Sequence, residues 1–195
     1  REDADLMVLQ DTRSMQRELM QTFSGKKWHL KPCGEHLLIS RFPIRKARLL
    51  PSEWRRSPAA VFEVDWNGKP VSVYSVHLPT PRTEFRRMGG KLLERKGLRY
   101  QLGGTKEGRV EYLKASMKSR VRSVDDLVEI AALDPNPVLL VGDFNMPRWG
   151  YLYQVVSGRF TDAFEERGFG FGFTVSGEGG SLFFRLGPWG RIDYL

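Results

Sequence analysis

Five polar residues stand at or near the ends of short apolar segments, and their types suit phosphoester chemistry. Asp11 comes after Leu6-Met7-Val8-Leu9 and Gln10, and His77 after the segment Val71 to Val76. Asp143 and Asn145 come after Val138-Leu139-Leu140-Val141, and Asp193 lies in the last segment. Asp11 is a hard oxygen ligand suited to Mg²⁺ or Mn²⁺. Asp143 can orient or deprotonate a water, and Asn145 can donate to a phosphate oxygen. His77 can act as an acid or stabilise charge developing on phosphorus. With a divalent ion, that set describes metal-assisted hydrolysis of a phosphoester. Each residue alone has a plainer reading. An Asp after a strand is usually a turn or N-cap residue, and a lone His is usually a hydrogen-bonded structural group. Joint occurrence carries the chemical reading. The motifs of rival chemistries are absent. The one cysteine, Cys33, excludes an internal disulfide framework and a multi-cysteine zinc site. The sequence contains no GxxxxGK[ST] phosphate loop and no GxSxG nucleophile elbow.

Such residues need strand ends to carry them, because strand ends present side chains to a crevice. The sequence predicts them. Leu6 to Leu9 reads as a short buried strand, residues 13–22 as helical, and Leu37 to Ser40 as a second strand stopped by Pro43. Ala60 to Trp66 and Pro70 to Val76 flank Asn67-Gly68 and read as a hairpin. In the returning strand Val71, Val73 and Ser75 share one face, and Ser72, Tyr74 and Val76 the other. Apolar residues at three- and four-residue spacings make 109–133 the best helix, ended by Asp134-Pro135-Asn136-Pro137. Val138 to Val141 is a buried strand, 151–167 a short helix, and Gly190 to Leu195 starts another strand. Trp149 and Tyr151 either flank the site or cap the core. Hairpin strands plus a helix leading to a buried strand make an α/β (α+β) domain. With 195 residues and 41% hydrophobic composition, residues 1–195 form one domain with a real core. Apolar runs reach only four residues, against the roughly 20 that a membrane span needs.

Charge is concentrated. The formal net charge is +8, yet residues 82–122 alone hold 13 basic and 4 acidic side chains. A block of this kind attracts polyanions: nucleic acid, phosphorylated metabolites or anionic lipid headgroups. Arg82, Arg120 and Arg122 are its candidate phosphate clamps. Its aromatic residues are few (Phe85, Tyr100, Tyr112), so base stacking is only weakly signalled.

Five blocks, Asp5 to Asp11 (DLMVLQD), Ser40 to Ile44 (SRFPI), Ser75 to Leu78 (SVHL), Gly142 to Asn145 (GDFN) and Arg191 to Tyr194 (RIDY), occur in a recognisable order and spacing. Together they resemble the endonuclease/exonuclease/phosphatase superfamily, whose fold is that of DNase I. The SVHLPTPR and FTDAFEERGFGFGFT stretches look most like less characterised bacterial members, some of them membrane-tethered. The resemblance implies a four-layer α/β/β/α sandwich of two mixed sheets and a Mg²⁺- or Mn²⁺-dependent phosphoester hydrolase. It places Asp11 at the metal-binding position and His77 at the catalytic His. Asp143 matches the Asp that activates water, Asn145 the Asn that contacts the scissile phosphate, and Asp193 the Asp that orients a final His. Asp11 departs from the family's Glu by one methylene. The family's first strand with its metal-binding Asn, and its final Ser-Asp-His block, have no counterpart here, so the resemblance implies a fragment cut at both ends, weak or inactive alone. The alternative reading is a catalytically degraded domain of the same fold that binds nucleic acid or anionic membrane through 82–122.

Overall fold

The computed structural model describes residues 4–23, 27–51, 57–80, 106–174 and 190–195. Its longest strands are the two arms of the Asn67-Gly68 hairpin, β5 (Ala59–Trp66) and β6 (Lys69–His77), paired antiparallel. They anchor a five-stranded sheet ordered β4-β5-β6-β7-β8, with β4 (Ile44–Leu49), β7 (Val138–Asp143) and β8 (Asp193–Tyr194). A three-stranded sheet, ordered β1-β3-β2, is built from β1 (Leu6–Leu9), β2 (His29–Cys33) and β3 (His36–Ser40). The larger sheet is mixed, because β6 and β7 run parallel, and the smaller one pairs antiparallel along both ladders. A parallel pair needs a crossover. The long helix α2 (Lys106–Ala132) supplies it, after α1 (Gln16–Phe23) and before α3 (Tyr151–Ser157) and α4 (Ala163–Arg167).

Strand alternation sorts the core into two layers. Phe62, Val64 and Val73 face the smaller sheet and pack with Leu38, Leu6, Val8 and Leu139. Val61, Tyr74, Val76 and Leu140 face outward and are covered by Val124, Leu127, Val128 and Ala131 of α2 and by Leu152 of α3. Helix α1 lies against β2 on the far side, which completes the order helix, sheet, sheet, helix. A polar brace holds the crossover: Tyr74 and Ser72 of β6 donate to the Asp134 carboxylate at the end of α2.

Several elements differ from the sequence reading. β2 and β4 were not foreseen, and both are edge strands with polar or charged residues and, in β2, a proline. The single helix expected over 151–167 is two, because residues 158–162 carry the turn at Gly158 and the Asp162 cap of α4. The final strand is short, Asp193–Tyr194. Of residues 82–107, whose Arg-, Lys- and Gly-rich sequence reads as loop with some helix, 106 and 107 begin α2 and 82–105 lie outside the described residues.

Candidate active site

The parallel register of β6 and β7 sets His77 beside Asp143, and the antiparallel register of β7 and β8 sets Asp143 beside Asp193. Three of the sequence-predicted residues therefore form a row across the ends of adjacent strands. The odd positions Val71, Val73, Ser75 and His77 point between the sheets. So do Leu139 and Asp143, which pair with Val73 and His77 and each lie two residues along β7 from Val141. Close approach of the strands here depends on Gly142. Its φ is +141°, and a Cβ at that position would lie 2.1 Å from the Val76 carbonyl oxygen and 2.9 Å from the Gln10 amide nitrogen.

The smaller sheet closes on this row from the other side with residues the sequence reading missed. Glu35, 4% exposed, accepts a hydrogen bond from His77 Nδ1 at 2.9 Å. Beside it the wholly buried His36 meets Ser75 Oγ at 2.9 Å, and the Gln10 amide donates to the same oxygen at 3.1 Å. Burial holds His36 below the usual histidine range, against the pull of Glu35 and of the Ser57 carbonyl. Neither Glu35 nor His36 sits in a motif. The one available signal was a polar Glu-His pair at the mouth of an apolar strand, His36–Ser40.

Asn145 works on Asp143. Its backbone N–H donates to Asp143 Oδ1 at 2.8 Å, and its Nδ2 donates to Asp143 Oδ2 at 3.0 Å and to the Leu78 carbonyl at 2.8 Å. The amide expected to meet phosphate is thus committed to fixing Asp143 and the strand beside it. Burial raises the Asp143 carboxyl above the ordinary range. The nearby Asp193 adds to that, and the Asn145 N–H, His77 and Arg120 oppose it.

Arg120 corrects the sequence reading. It is 5% exposed, and its guanidinium donates to the carbonyls of Pro79, Phe144 and Asn145. It ties the turns after β6 and β7 to α2, so it is a structural cation and not a surface clamp. Arg122 is exposed on α2, beside Leu50, Pro51 and Pro58. Arg82 lies outside the described residues. Trp149 and Tyr151 are exposed and do not cap the core.

Asp193 is half-buried, and its backbone N–H donates to Thr174 Oγ1 at 3.1 Å. Two residues before it, Arg191 is buried between the rings of Phe164 and Tyr194, 4.7 and 4.6 Å from their centroids. Its guanidinium pairs with Asp162 and with Glu165, fastening β8 to α4. Burial would push the Asp162 carboxyl up, but Arg191 and the Tyr153 hydroxyl outweigh it and hold the group below its usual range.

Asp11 is exposed at the end of β1 with φ +53°. Its neighbour Thr12 donates through both N and Oγ1 to the Glu35 carbonyl, which places the Asp11 backbone on the rim beside Glu35. Among the described residues no group of three or more His, Cys, Asp or Glu gathers as a metal cage. Mg²⁺ is usually held by one or two carboxylates and keeps several waters, so an exposed carboxylate on this rim fits a site completed by solvent and substrate oxygens.

No family model matches the chain, and no curated protein matches it. Solved structures do. Sphingomyelinase C from Streptomyces griseocarneus is 14% identical with a TM-score of 0.57, over 99% of this chain and 70% of that one. Truncated Caenorhabditis elegans TDP2 is 17% identical with a TM-score of 0.57, over 98% and 68%. An endonuclease/exonuclease/phosphatase family protein from Bacteroides thetaiotaomicron is 14% identical, also at 0.57, over 98% and 68%. Across the similar structures the chain spans between 58% and 73% of their length. The two facing sheets between outer helices are the DNase I-like fold, the one shared by the endonuclease/exonuclease/phosphatase proteins.

Proposed function

We propose that the chain carries the active site of a divalent-metal-dependent phosphoester hydrolase. The observation behind this reading is the row His77, Asp143 and Asp193 on adjacent strand ends, with Glu35 holding the first and Asn145 the second. With Nδ1–H donating to Glu35, Nε2 is the His77 nitrogen left to meet substrate. An imidazolium there would stabilise charge developing on phosphorus, and the buried Glu35 carboxylate would stabilise the imidazolium. Asp143, held by Asn145 at both oxygens, would orient a water and accept its proton. Burial first, and then the charge of Asp193, raise the Asp143 carboxyl and so make its carboxylate the stronger base. Asp11 would hold Mg²⁺ or Mn²⁺, which when bound supplies Lewis-acid polarisation of a phosphoryl oxygen. A similar beta toxin from Staphylococcus aureus has been solved with bound magnesium ions. Exposed Arg122, together with Arg82, would steer an anionic phosphate-bearing substrate.

The test is a panel of phosphoesters, from bis-p-nitrophenyl phosphate to plasmid DNA, assayed with and without EDTA. We expect hydrolysis that EDTA abolishes and added Mg²⁺ or Mn²⁺ restores. Activity that ignores EDTA, or none across the panel, would sink the proposal.

A further inference from the structure

Two hydrogen bonds cross between the sheets beside the site. Glu35–His77 belongs to the chemistry, while His36–Ser75, one step deeper, has no part in it. His36 and Ser75 are both wholly buried. The other nitrogen of the His36 ring, Nε2, has no hydrogen-bond partner among the described residues. The Ser57 carbonyl draws on the ring but does not meet Nε2 in hydrogen-bond geometry. A buried nitrogen without a partner is destabilising, and an apolar residue of similar size would avoid that. What the imidazole supplies and an apolar residue cannot is the bond from Nδ1.

Strand alternation sets the depth of that bond. Leu38 of β3 and Val73 of β6 lie in the apolar layer between the sheets. His36 is two residues from Leu38 and Ser75 two from Val73, so both stand on the same inner faces, and His77 is two further along β6. Glu35 escapes the alternation, because it lies in the Gly34-Glu35 turn between β2 and β3, where Gly34 has φ +65°. Adjacent residues of the smaller sheet therefore meet alternate residues of β6.

The two partners of the Glu35–His77 bond are fixed separately. Thr12 donates twice to the Glu35 carbonyl, and the Gln16 amide bonds the Gly34 carbonyl and Thr12 Oγ1, each at 3.0 Å. Those bonds hold the turn to the start of α1 and do not reach the larger sheet. The β6–β7 ladder fixes His77 beside Asp143. The two halves are joined at Ser75 Oγ, which meets the His36 ring at 2.9 Å and the Gln10 amide at 3.1 Å. Apolar packing is non-directional, whereas a hydrogen bond fixes both distance and angle.

We propose that His36 is a positioning residue, whose bond to Ser75 sets the spacing of the sheets at which the Glu35 carboxylate meets His77 Nδ1. This inference rests on the proposed hydrolase reading and adds the residue that keeps its Glu35–His77 pair in place.

The experiment uses full-chain variants. His36→Leu fills the space and removes the bond. His36→Asn puts an amide where Nδ1 stood and nothing at Nε2. Both are assayed on bis-p-nitrophenyl phosphate with Mg²⁺, alongside Glu35→Gln and the double variant Glu35→Gln/His36→Leu, and each is unfolded in urea. His36→Leu should keep or raise the denaturation midpoint, because it removes an unpartnered buried nitrogen. Its kcat should fall about 10- to 100-fold with KM unchanged, the scale on which small displacements of a catalytic group act. His36→Asn should recover most of that loss. The double variant should be no slower than Glu35→Gln alone, because a residue that acts through Glu35 then has nothing left to position. Multiplied losses in the double variant overturn the proposal. So does wild-type kcat in His36→Leu, a His36→Leu chain that fails to fold, or a loss that follows a fallen midpoint in both His36 variants. Crystal structures of the two variants give a readout independent of turnover. The distance from Glu35 Oε1 to His77 Nδ1 should stay near 2.9 Å in His36→Asn and open beyond about 3.5 Å in His36→Leu. If no phosphoester is hydrolysed and the distance still behaves in this way, the positioning role stands and the hydrolase reading fails. An unchanged distance in His36→Leu overturns the positioning role whatever the activity.

Discussion

Glu35→Gln isolates what the buried carboxylate does for His77. The substitution keeps the shape of the side chain and an oxygen facing Nδ1, and removes only the charge. Glu35 is 4% exposed and accepts from His77 at 2.9 Å, so the bond is charge-assisted and shielded from water. Hydrogen bonds to charged groups contribute about 1.5–3 kcal/mol. If that stabilisation develops as His77 becomes cationic in the transition state, its loss lowers kcat by about 10- to 150-fold. KM should hold, because Glu35 acts through His77. Stability should change by no more than about 1 kcal/mol, because a neutral amide avoids the cost of burying a charge and the Glu35 carbonyl still receives its two bonds from Thr12. The assay pairs steady-state kinetics on bis-p-nitrophenyl phosphate with urea denaturation of the same preparations. A folded Glu35→Gln enzyme with kcat within twofold of wild type would refute the reasoning, and so would a loss seen only in KM.

Three further outcomes follow from the geometry. Gly142→Ala should destabilise the fold by about 3 kcal/mol or more, since its Cβ would strike the Val76 carbonyl and φ +141° disfavours an L residue; an unchanged denaturation midpoint would show that the strands can part there. Arg191→Met should cost about 3–5 kcal/mol by leaving the buried Asp162 carboxylate without its cation, with only the neutral donors Tyr153 and the first N–H groups of α4, and the double variant with Asp162→Asn should recover part of it; additive losses would mean the pair is not coupled. Asp193→Asn should move the acid limb of the kcat/KM profile to lower pH. Burial first, and then Asp193, hold the Asp143 carboxyl above its ordinary value. Activity that needs ionised Asp143 is therefore lost as pH falls through that raised value, and removing the like charge lowers it. A limb that stays put or moves upward would count against Asp143 as the base.

The central strands were legible because their residues are apolar and their turn is strong. Asn67-Gly68 fixes the hairpin register, and that register carries Ser75 and His77 to the inner face. Val138 to Val141 leads straight to Asp143. The edge strands were not legible, because an edge strand meets solvent and carries residues such as Arg45, Lys46 and Pro32 that erase the apolar signal. Glu35 was missed for another reason. Its partner His77 is 42 residues away, and pairing of that kind depends on how one sheet faces another. Arg120 shows the converse limit. Sequence alone showed a cation in a basic block, while its role is set by three carbonyls from two turns distant in the chain.

The most direct test of the hydrolase reading is kcat for His77→Ala against wild type on bis-p-nitrophenyl phosphate with Mg²⁺, both proteins matched for denaturation midpoint. Removing a group that meets the reacting phosphoryl should cost about 10²–10⁴ in rate, and EDTA should silence what remains. A folded His77→Ala protein that turns over as fast as wild type would contradict the account.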